Sequence, residues 1–519
     1  MKPVNKLLCG FALSVVLMNG SAVFAKNCFD FPSDKFQSIF YINDIHGQLP
    51  TMLKITNAST QFDACVADDD DIDSFKFSSG DIYIGSDDMA NTASTMFLNV
   101  NEIQAEVLGN HEFDMGATKL SKFLPKIRAV KVGANATYPP KNPIKDQVIK
   151  SFVFTGKSGE KYGVLGAQSP TLIERMKDPT LFEGITISGG EKAYKELQKE
   201  VDKLRSQGID RIIMLSHSGY EEEKEIAKHV SGVDIILGGH SHDLIFDITE
   251  GKNLQYSPIG EPVVITQAGR DGKNFGVLNV EYDKNGVIVK AQNNVYKTSE
   301  YNKSLLMTTT ADIVLGQSPV LGKVESVPVL TDRMNIEENG YSEVFLDIVR
   351  QETGAEIILM NSANFRGSLD LGDFTARDIG GIFPFKNKMC VVELSERRLI
   401  DALNHGGSSL VAPDLKPSIL QVSGMNYTLS KEGKVTQAAV CKDGQMVELD
   451  VRNPSDTKMF KVGYDDYLLA GGDQFFSLKD AKVLKKYDYD KDQIVINYFL
   501  KNPNCKPLVI KSDGRIKFE

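Results

Sequence analysis

The sequence predicts a protein of two α/β domains joined by a connector. Its length of 519 residues exceeds what a single hydrophobic core usually serves. Its composition, 41% hydrophobic and 25% charged, is typical of globular proteins. In the first half of the chain, apolar strand-like runs alternate with helical patterns. We therefore expect a first domain at 26–300, a linker at 301–325 and a second domain at 326–519.

The alternation of strands and helices extends from Phe36 to about Val295 and indicates a layered α/β domain. The strand-like runs are Ile39–Ile42, Phe75–Ser78, Tyr162–Ala167, Arg211–Leu215, Val233–Leu237 and Pro262–Gln267, and the helical patterns between them include Gly190–Gln207 and Tyr220–His229. Residues 302–319 read as a polar connector that ends in a partly helical stretch. Helical patterns at Tyr341–Glu352 and Glu396–Leu403 then predict a second α/β region.

The first 25 residues have the features of a secretory signal peptide. Lys2 and Lys6 form a short basic region, residues 7–17 are mostly apolar, and Ala25 ends a segment suited to signal peptidase. The apolar run is shorter than the roughly 20 residues that cross a bilayer, which argues against a membrane anchor. We expect cleavage after Ala25 and a periplasmic or secreted mature protein with no stable membrane anchor.

Charge and cysteine content narrow the function classes further. A formal net charge of −10 argues against binding to a nucleic-acid polymer, so an anionic substrate needs metals or arginines to attract it locally. Five cysteines remain beyond Ala25, and none has zinc-type spacing. Export permits disulfides, and domain membership suggests pairing Cys28 with Cys65 and Cys390 with Cys441. Nothing in the sequence decides between a monomer and a dimer.

Five short segments in the first domain carry most of the metal-binding side chains. They are Asn43-Asp44-Ile45-His46-Gly47, Ser79-Gly80-Asp81, Gly109-Asn110-His111-Glu112-Phe113-Asp114, Ser216-His217-Ser218-Gly219 and Gly238-Gly239-His240-Ser241-His242. All follow predicted strands except the third, which follows a segment that could be helix or strand. Five of the seven histidines lie in these segments, and only His229 and His405 do not. Loops at strand ends are where α/β folds place their sites, so we expect the segments to meet.

The residue types in these segments indicate a centre of two divalent cations. Side chains two residues apart point the same way in an extended segment, so Asp44 with His46, and His240 with His242, can each reach one ion cluster. Imidazole suits zinc, manganese or cobalt, and carboxylates hold two cations together. Such a pair of cations activates a water molecule and neutralises phosphate oxygens, which is the chemistry of phosphoester hydrolysis.

These motifs, in this order, resemble those of the calcineurin-like metallophosphoesterases, and the mature chain resembles their 5′-nucleotidase / UDP-sugar hydrolase branch. The resemblance implies a four-layer α/β/β/α N-terminal domain and a smaller α/β C-terminal substrate-binding domain. By the same resemblance, one metal is bound by Asp44, His46 and His242, Asp81 bridges to the other, and Asn110, His217 and His240 complete the second. His111 and Asp114 are then a catalytic dyad and not ligands.

Three segments of the second domain resemble the family's nucleotide-binding motifs. They are Asn361-Ser362-Ala363-Asn364-Phe365-Arg366, Pro384-Phe385-Lys386-Asn387 and Tyr467-Leu468-Leu469-Ala470-Gly471-Gly472-Asp473. In the first, Ala363 and Asn364 stand where the family has two glycines. The resemblance implies that Phe385 and Tyr467 sandwich a nucleobase and that Asp473 binds the ribose. It also implies that Asn361 and Asn387 shape the pocket and that Arg366 and Arg333 contact the phosphate side.

We therefore expect an exported enzyme that cleaves nucleoside 5′-monophosphates to nucleoside and phosphate. Cleavage of UDP-sugars, NAD or 2′,3′-cyclic nucleotides needs the same metals and a different pocket, and remains an alternative. A secreted nucleotide-binding protein without catalysis is a third possibility, although no ligand position is missing from the motifs.

Overall fold

The computed structural model describes residues 31, 33, 35–67, 69–85, 87–174, 179–328, 336–411 and 418–519. The predicted signal peptide, Cys28 and Arg333 lie outside these ranges. Among the described residues, none of the helices is long and apolar enough to cross a membrane.

The first part of the chain builds two central sheets. Its elements are β1 Phe36–Ile42, α1 Leu49–Val66, β2 Ile72–Ser78, α2 Asp88–Val100, β3 Ala105–Val107, α3 Ala117–Leu120, β4 Val130–Val132, β5 Ala136–Thr137, β6 Ser151–Thr155, β7 Lys161–Gln168, α4 Thr171–Glu174, β8 Thr186–Ile187, α5 Gly190–Arg205, β9 Arg211–His217, α6 Tyr220–His229, β10 Ile235–Leu237, β11 Leu254–Tyr256, β12 Pro262–Thr266, β13 Asn274–Tyr282, β14 Ile288–Lys297 and α7 Leu305–Leu315. One sheet has the order β14-β13-β1-β2-β3-β4 and the other β11-β12-β10-β9-β7-β6. The central strands β1 to β3 are parallel, as are β7, β9, β10 and β12.

Side-chain alternation along the strands explains why the two sheets stack. In β1, Ile39 and Tyr41 enter the core between the sheets, whereas Phe40 and Ile42 face the core beneath α1 and α2. Helices α5 and α6 cover the outer face of the second sheet. The result is the expected four-layer α/β/β/α arrangement, in which most of the strand segments are buried on both faces.

The second part of the chain is a smaller α/β unit. Its elements are β15 Val320–Ser326, α8 Gly340–Thr353, β16 Ile357–Asn361, β17 Gly372–Thr375, α9 Ala376–Ile382, β18 Lys388–Ser395, α10 Glu396–Gly407, β19 Leu420–Ser423, β20 Met425–Leu429, β21 Val435–Lys442, β22 Gln445–Glu448, β23 Met459–Asp465, α11 Asp466–Leu469, β24 Lys482–Asp490, α12 Lys491–Lys501, β25 Leu508–Val509 and β26 Ile516–Phe518. A mixed sheet of order β19-β16-β23-β18-β24 carries apolar cores on both faces. Helices α8, α9 and α12 contribute to one core, and α10 with strands of the β22-β21-β20-β26 sheet contributes to the other.

The segment between the two units is more helical and more apolar than the sequence suggested. Helix α7 begins at a cap in which the Ser304 side chain accepts the Met307 N–H, and it buries Met307 and Ala311 in the core of the first domain. The connector therefore packs on the first domain for most of its length.

The predicted pairing of Cys390 with Cys441 is wrong, because both thiols are free. Cys390 is buried in β18, where it pairs with Tyr464 and Lys486 on the neighbouring strands. Cys441 lies near the end of β21 in a different sheet. Shared domain membership was too coarse a guide, since the two strands belong to separate layers. The pairing of Cys28 with Cys65 lies outside the described residues.

Candidate metal centre and substrate cleft

The predicted metal ligands meet at the carboxyl ends of the parallel strands of both sheets. Asp44 and His46 follow β1, Asp81 follows β2, Asn110 follows β3, and His217 is the last residue of β9. The loop after β10 supplies His240 and His242. The structure thus brings together all seven side chains that the motifs predicted, together with His111.

Five of these residues have a backbone conformation that non-glycine residues rarely adopt. Asp44, His46, Asp81, His240 and His242 all have positive φ, between 51° and 77°. A non-glycine residue in this region costs roughly 1–3 kcal/mol, and such strain concentrates at functional sites. The tight loops that follow the strands therefore aim the side chains at one point at a cost in local stability.

Asp44 and Asp81 lie at the centre of the cluster, each close to more than one imidazole. Asp44 Oδ1 is 3.3 Å from His242 Nε2 and 3.7 Å from His46 Nε2. Asp81 Oδ2 is 3.2 Å from His217 Nε2 and 3.5 Å from His46 Nε2. These atoms form overlapping three-residue groups whose ligand atoms lie within 4.8 Å of one another, one of which also includes His111. Asp44, His46 and Asp81 each belong to two of these groups, so the groups form one continuous cluster.

The chemistry of the donors fits divalent cations. His46 and His217 are fully buried, yet their Nε2 atoms have no hydrogen-bond partner. His217 Nδ1 lies 2.6 Å from the carbonyl oxygen of Ser79, so Nδ1–H donates to that oxygen and Nε2 is the ring nitrogen directed at the cluster. Buried, unpartnered imidazole nitrogens beside two carboxylates are what a metal site offers before the ion binds.

The electrostatics of the cluster also favour positive charge. Burial on its own lowers the pKa of His217, but the Asp81 carboxylate outweighs it and raises that pKa to about 10. Burial likewise lowers the pKa of His46, but the Asp271 and Asp81 carboxylates outweigh it and raise that pKa to about 9. The cluster therefore stabilises cations against the cost of their desolvation.

Asn110 and His240 contact each other on the side of the cluster where His217 lies. Asn110 Oδ1 is 3.0 Å from His240 Nδ1, and the His217 and His240 rings are 5.1 Å apart, centroid to centroid. This places the neutral amide oxygen beside the His217 side of the cluster.

His111 and Asp114, the predicted catalytic dyad, form a hydrogen-bonded pair. His111 Nδ1 lies 2.6 Å from Asp114 Oδ2, which also accepts the Gly85 N–H at 2.8 Å. The His111 backbone N–H donates to Asp81 Oδ1 at 2.8 Å, so the dyad is fixed to the centre of the cluster. Both side chains are about one-fifth exposed and remain open to a substrate.

Two acidic residues support the cluster without having been predicted. Asp271, in the loop after β12, accepts from His46 Nδ1 at 2.9 Å. The buried Glu112 carboxylate accepts the backbone N–H groups of Asp81 at 3.0 Å and Gly109 at 2.7 Å and so ties the β2 and β3 loops together. Burial raises the pKa of Glu112 to about 7. Two features of the sequence could have indicated these residues. Glu112 lies within one of the metal-binding motifs, and Asp271 follows a predicted strand.

Residues of the second domain reach the cluster from the other side. The Arg366 guanidinium lies 4.0 Å from Asp271 Oδ1 and 5.5 Å from the centroid of the Phe385 ring. Asp271 in turn contacts His46. A single side chain, that of Asp271, therefore connects Arg366 to a candidate metal ligand. The first and second domains therefore share one cleft.

The other predicted substrate residues are linked by hydrogen bonds. Asp473 accepts from Asn361 Nδ2 and from the Tyr467 hydroxyl, both at 2.8 Å. Asn387 and Tyr467 are among the residues that line a cavity of about 390 Å³. Arg333 lies outside the described residues.

Comparison with known proteins agrees with this architecture. The calcineurin-like phosphoesterase family model matches residues 38–244, and the 5′-nucleotidase C-terminal domain model matches residues 314–480. The 5′-nucleotidase of Rattus norvegicus is 27% identical over 476 residues, covering 81% of this chain and 77% of that protein. A crystal structure of a 5′-nucleotidase precursor from Thermus thermophilus superposes with a TM-score of 0.69 at 22% identity, covering 93% of this chain and 99% of that one.

A longer relative matches as well. The trifunctional nucleotide phosphoesterase protein YfkN of Bacillus subtilis is 23% identical over 92% of this chain, but the match spans only 35% of that protein.

The four-layer fold and the ligand cluster at its strand ends define a metal-dependent phosphohydrolase of the calcineurin-like class. Its second domain identifies the branch. The chain belongs to the 5′-nucleotidase family, which joins this catalytic domain to a 5′-nucleotidase C-terminal domain.

Proposed function

We propose that the protein hydrolyses nucleoside 5′-monophosphates to nucleoside and phosphate. The observation that carries this proposal is the position of Arg366, whose guanidinium is 4.0 Å from Asp271 beside the metal cluster. Arg366 belongs to the same segment as Asn361, which is hydrogen-bonded to Asp473 in the nucleoside pocket. One substrate can therefore have its phosphate at the cluster and its nucleoside on the second domain.

In this proposal, seven side chains would hold two divalent cations, of which zinc, manganese and cobalt fit the donor set. Asp44, His46 and His242 would hold one ion, Asn110, His217 and His240 would hold the other, and Asp81 would be shared by both. When bound, such a pair of ions lowers the pKa of a water molecule and neutralises phosphate oxygens. Asn110 adds a ligand without adding negative charge, which preserves the attraction for an anionic ester.

The remaining side chains bind the phosphate and hold protons. Asp114 accepts the Nδ1–H of His111, which fixes the ring with Nε2 free to donate to a phosphate oxygen. Arg366 presents a guanidinium from the opposite wall of the cleft, where its planar array of donors suits two phosphate oxygens. Both groups bind more strongly as charge builds up on the oxygens, so both favour the transition state.

The nucleoside is bound by the second domain. Phe385 and Tyr467 are proposed to stack on the base, an interaction worth about 1–3 kcal/mol per base in nucleic-acid complexes. Asp473 is proposed to accept hydrogen bonds from the ribose hydroxyls, and Asn387 to contact the base edge. Arg333 is proposed to assist on the phosphate side.

Export is the second part of the proposal. A leader at 1–25 precedes a catalytic domain at 26–300, a linker at 301–325 and a nucleotide-binding domain at 326–519. A mature chain in the periplasm or the medium would recover nucleosides from nucleotides there, and a Cys28–Cys65 disulfide would be stable in that compartment. N-terminal sequencing of the protein recovered from these fractions should begin at Lys26, and an intact Met1 would contradict export.

A substrate panel tests the reaction. Purified protein supplied with manganese, cobalt or zinc should release phosphate from AMP faster than it cleaves UDP-glucose, NAD or 2′,3′-cyclic AMP. Faster cleavage of UDP-glucose or NAD would instead identify a pyrophosphatase. Metal analysis of the same sample should find about two ions per chain.

Two variants separate catalysis from mere binding. Asp81→Ala should lose metal and activity together. His111→Ala should keep its metal and lose roughly 10²- to 10⁴-fold in kcat, the usual contribution of a general acid or base. His229→Ala is the matched control, since that imidazole bonds the Glu225 carbonyl on the outer helix α6. A wild type no more active than the first two variants would leave only a nucleotide-binding protein.

A further inference from the structure

A buried lysine in the second domain has three partners, one of which lies in the proposed nucleoside pocket while the other two connect to pocket residues. Lys491, the first residue of α12, is 1% exposed. Its ammonium group donates to Asp465 Oδ2 at 3.0 Å, to Asn387 Oδ1 at 3.2 Å and to Asn364 Oδ1. A buried ammonium is tolerated only when its donors are satisfied. Here the three ammonium hydrogens are donated to residues in three different segments of the chain.

The first partner, Asp465, connects the lysine to the helix that carries Tyr467. Asp465 Oδ1 accepts the Leu468 N–H at 3.1 Å and so caps α11. Its other oxygen is held by Lys491, and the Asp465 side chain is fully buried. The position of α11, and with it that of the Tyr467 ring, therefore depends on an internal ion pair.

The second partner begins a chain of hydrogen bonds that ends at the same tyrosine. Asn364 Nδ2 donates to Asn361 Oδ1. Asn361 Nδ2 donates to Asp473 Oδ2, and Asp473 Oδ1 accepts the Tyr467 hydroxyl. The proposed ribose ligand and the proposed stacking residue are thus linked to Lys491 through two amides.

The direction of this chain is fixed at both ends. An ammonium group only donates, so Asn364 must turn its oxygen toward Lys491 and its Nδ2 toward Asn361. An ionised carboxylate only accepts, so Asn361 must turn its Nδ2 toward Asp473. Bonds aligned in one direction polarise and strengthen one another, which makes the arrangement sensitive to loss of its first donor.

The third partner orients the amide that faces the cavity. Because Lys491 engages Asn387 Oδ1, the Asn387 Nδ2 hydrogens are left to face a ligand. Asn387 and Tyr467 line the cavity of about 390 Å³ together with Asp466 and Lys486. Asn387 therefore presents a hydrogen-bond donor to whatever occupies the cavity.

We propose that Lys491 is the positioning residue of the nucleoside pocket: its single buried ammonium sets Asn387, the α11 helix and the Asn361–Asp473–Tyr467 chain in one arrangement. The inference rests on the proposed function, because it assumes that these residues bind the nucleoside part of the substrate. Lys491 itself touches neither the substrate nor the metal cluster, so it acts on the affinity for nucleosides and leaves the phosphate chemistry unchanged.

A comparison of two substrates tests this assignment. AMP uses the nucleoside pocket and the phosphate site, whereas p-nitrophenyl phosphate uses the phosphate site without the nucleoside pocket. Lys491→Met should raise KM for AMP by roughly 10- to 100-fold, the weakening expected when the base loses its stacking contact with a displaced Tyr467. Its kcat/KM for p-nitrophenyl phosphate should stay at the wild-type value.

A second variant guards against misfolding, because Lys491→Met leaves the Asp465 carboxylate buried without its partner. Asn364→Leu has a similar volume and keeps the Lys491–Asp465 ion pair, while it removes one acceptor of Lys491 and interrupts the amide chain. It should raise KM for AMP in the same direction and spare p-nitrophenyl phosphate. Lys131→Met is the matched control. This lysine is also buried, at 7% exposure, but donates to the Leu124 and Ile127 carbonyls in the first domain.

The outcomes separate the two proposals. A rise in KM that is confined to AMP in both test variants supports the role of Lys491. Equal losses on both substrates, of the kind expected for Lys131→Met, or an unchanged KM for AMP would overturn it. A wild type that cleaves p-nitrophenyl phosphate but no nucleotide would contradict the proposed function before any variant is made.

Discussion

At the scale of single residues, the imidazole of His46 lies between two carboxylates with different tasks. Its Nε2 is 3.5 Å from Asp81 Oδ2 in the cluster, while its Nδ1 is 2.9 Å from Asp271 Oδ1 behind it. A carboxylate on the far nitrogen fixes the ring and raises its basicity as a ligand. Asp271 also lies 4.0 Å from Arg366, so it connects ligand orientation to the opposite wall of the cleft.

We expect Asp271→Asn to weaken metal binding by roughly 10- to 100-fold, the usual effect of removing such a supporting group. The amide can still accept from His46, but it lacks the charge that favours a basic imidazole. Competition with a chelator measures the affinity. Asp283→Asn, in the turn between β13 and β14 of the same domain, is the control and should bind metal as wild type does. An unchanged affinity in Asp271→Asn would show that the ring is held by other contacts.

The residues of the metal cluster could be predicted because histidine is rare in this chain and concentrated in short motifs. Asp271 could not, since aspartate is common and its neighbours Gly269 and Arg270 carry no metal-binding pattern. The contact between Arg366 and Asp271 could not be predicted from the sequence for a further reason. The two residues lie in different domains, and their distance depends on how those domains meet.

At the scale of elements, the loops after β2 and β3 pack so closely that one glycine decides their spacing. A Cβ atom added at Gly109 would lie 2.2 Å from Asp81 Oδ1 and 2.7 Å from the His217 ring. The neighbours cannot retreat without moving the carboxylate at the centre of the cluster. The absence of a side chain at Gly109 is therefore a requirement of the site.

Gly109→Ala should therefore lose activity and bind fewer metal ions, measured by phosphate release and metal analysis. Gly380→Ala is the matched control, because a Cβ there meets no atom within 4 Å and the backbone of α9 is helical. That control should stay active and gain up to about 1 kcal/mol in stability from the better helix former. Full metal occupancy in Gly109→Ala would mean that the loops can separate without harm.

Helix α8 makes the stability of the folded protein depend on pH. Glu343, in the first turn of α8, accepts the Asp513 N–H at 2.7 Å. Burial raises the pKa of Glu343 to about 8, and the nearby Glu338 and Asp513 carboxylates add to the rise. The ordinary value is 4.5. The charged form is thus disfavoured in the folded state, so this group opposes folding increasingly as pH rises from 4.5 to about 8 and has no such effect below 4.5.

Glu343→Gln should consequently melt at a higher temperature than wild type at pH 8.5 and at the same temperature at pH 4. Thermal unfolding followed by circular dichroism across this range measures the difference. Glu448→Gln, on the exposed strand β22, controls for the loss of one negative charge. A difference between Glu343→Gln and wild type that does not change with pH would rule out titration of Glu343 as its cause.

Whether a strand or helix could be predicted from the sequence depends on its length and on the regularity of its hydrophobic pattern. The long buried strands and the helices α5, α6, α8 and α10 have clear apolar patterns and were predicted. Strand β3 has three residues, too few to distinguish strand from helix by periodicity. Helix α7 was read mainly as connector, because its central threonines and exposed leucines show no polar face opposite an apolar one.

At the scale of the whole molecule, the first and second domains are joined across the cleft by ion pairs. Lys54 on α1 is 2.7 Å from Asp370, and Lys386, next to Phe385, is 3.2 Å from Asp87. Exposed or half-buried pairs of this kind each contribute about 0–1 kcal/mol. Closure is therefore only weakly held by these pairs. The sequence predicted both domains, but it contains no signal for such contacts because their partners lie about 300 residues apart.

The double variant Lys54→Gln/Asp87→Asn should open the cleft. Asparagine at position 87 can still cap α2, so the change removes charge without removing the helix start. We expect a larger radius of gyration by small-angle scattering and a higher KM for AMP, because Arg366 and the metal cluster then lie farther apart. High salt should have a similar effect on wild type, since the screening length falls to about 3 Å at 1 M. The double variant should respond less, having already lost the pairs.

Lys228→Gln/Glu225→Gln is the matched control, because it removes a lysine and an acid that pair at 2.8 Å within the single helix α6. Its radius of gyration, KM and salt response should equal those of wild type. If the cross-cleft variant also matches wild type in all three, the ion pairs do not hold the domains together. Closure would then depend on the packing of α1 against α9.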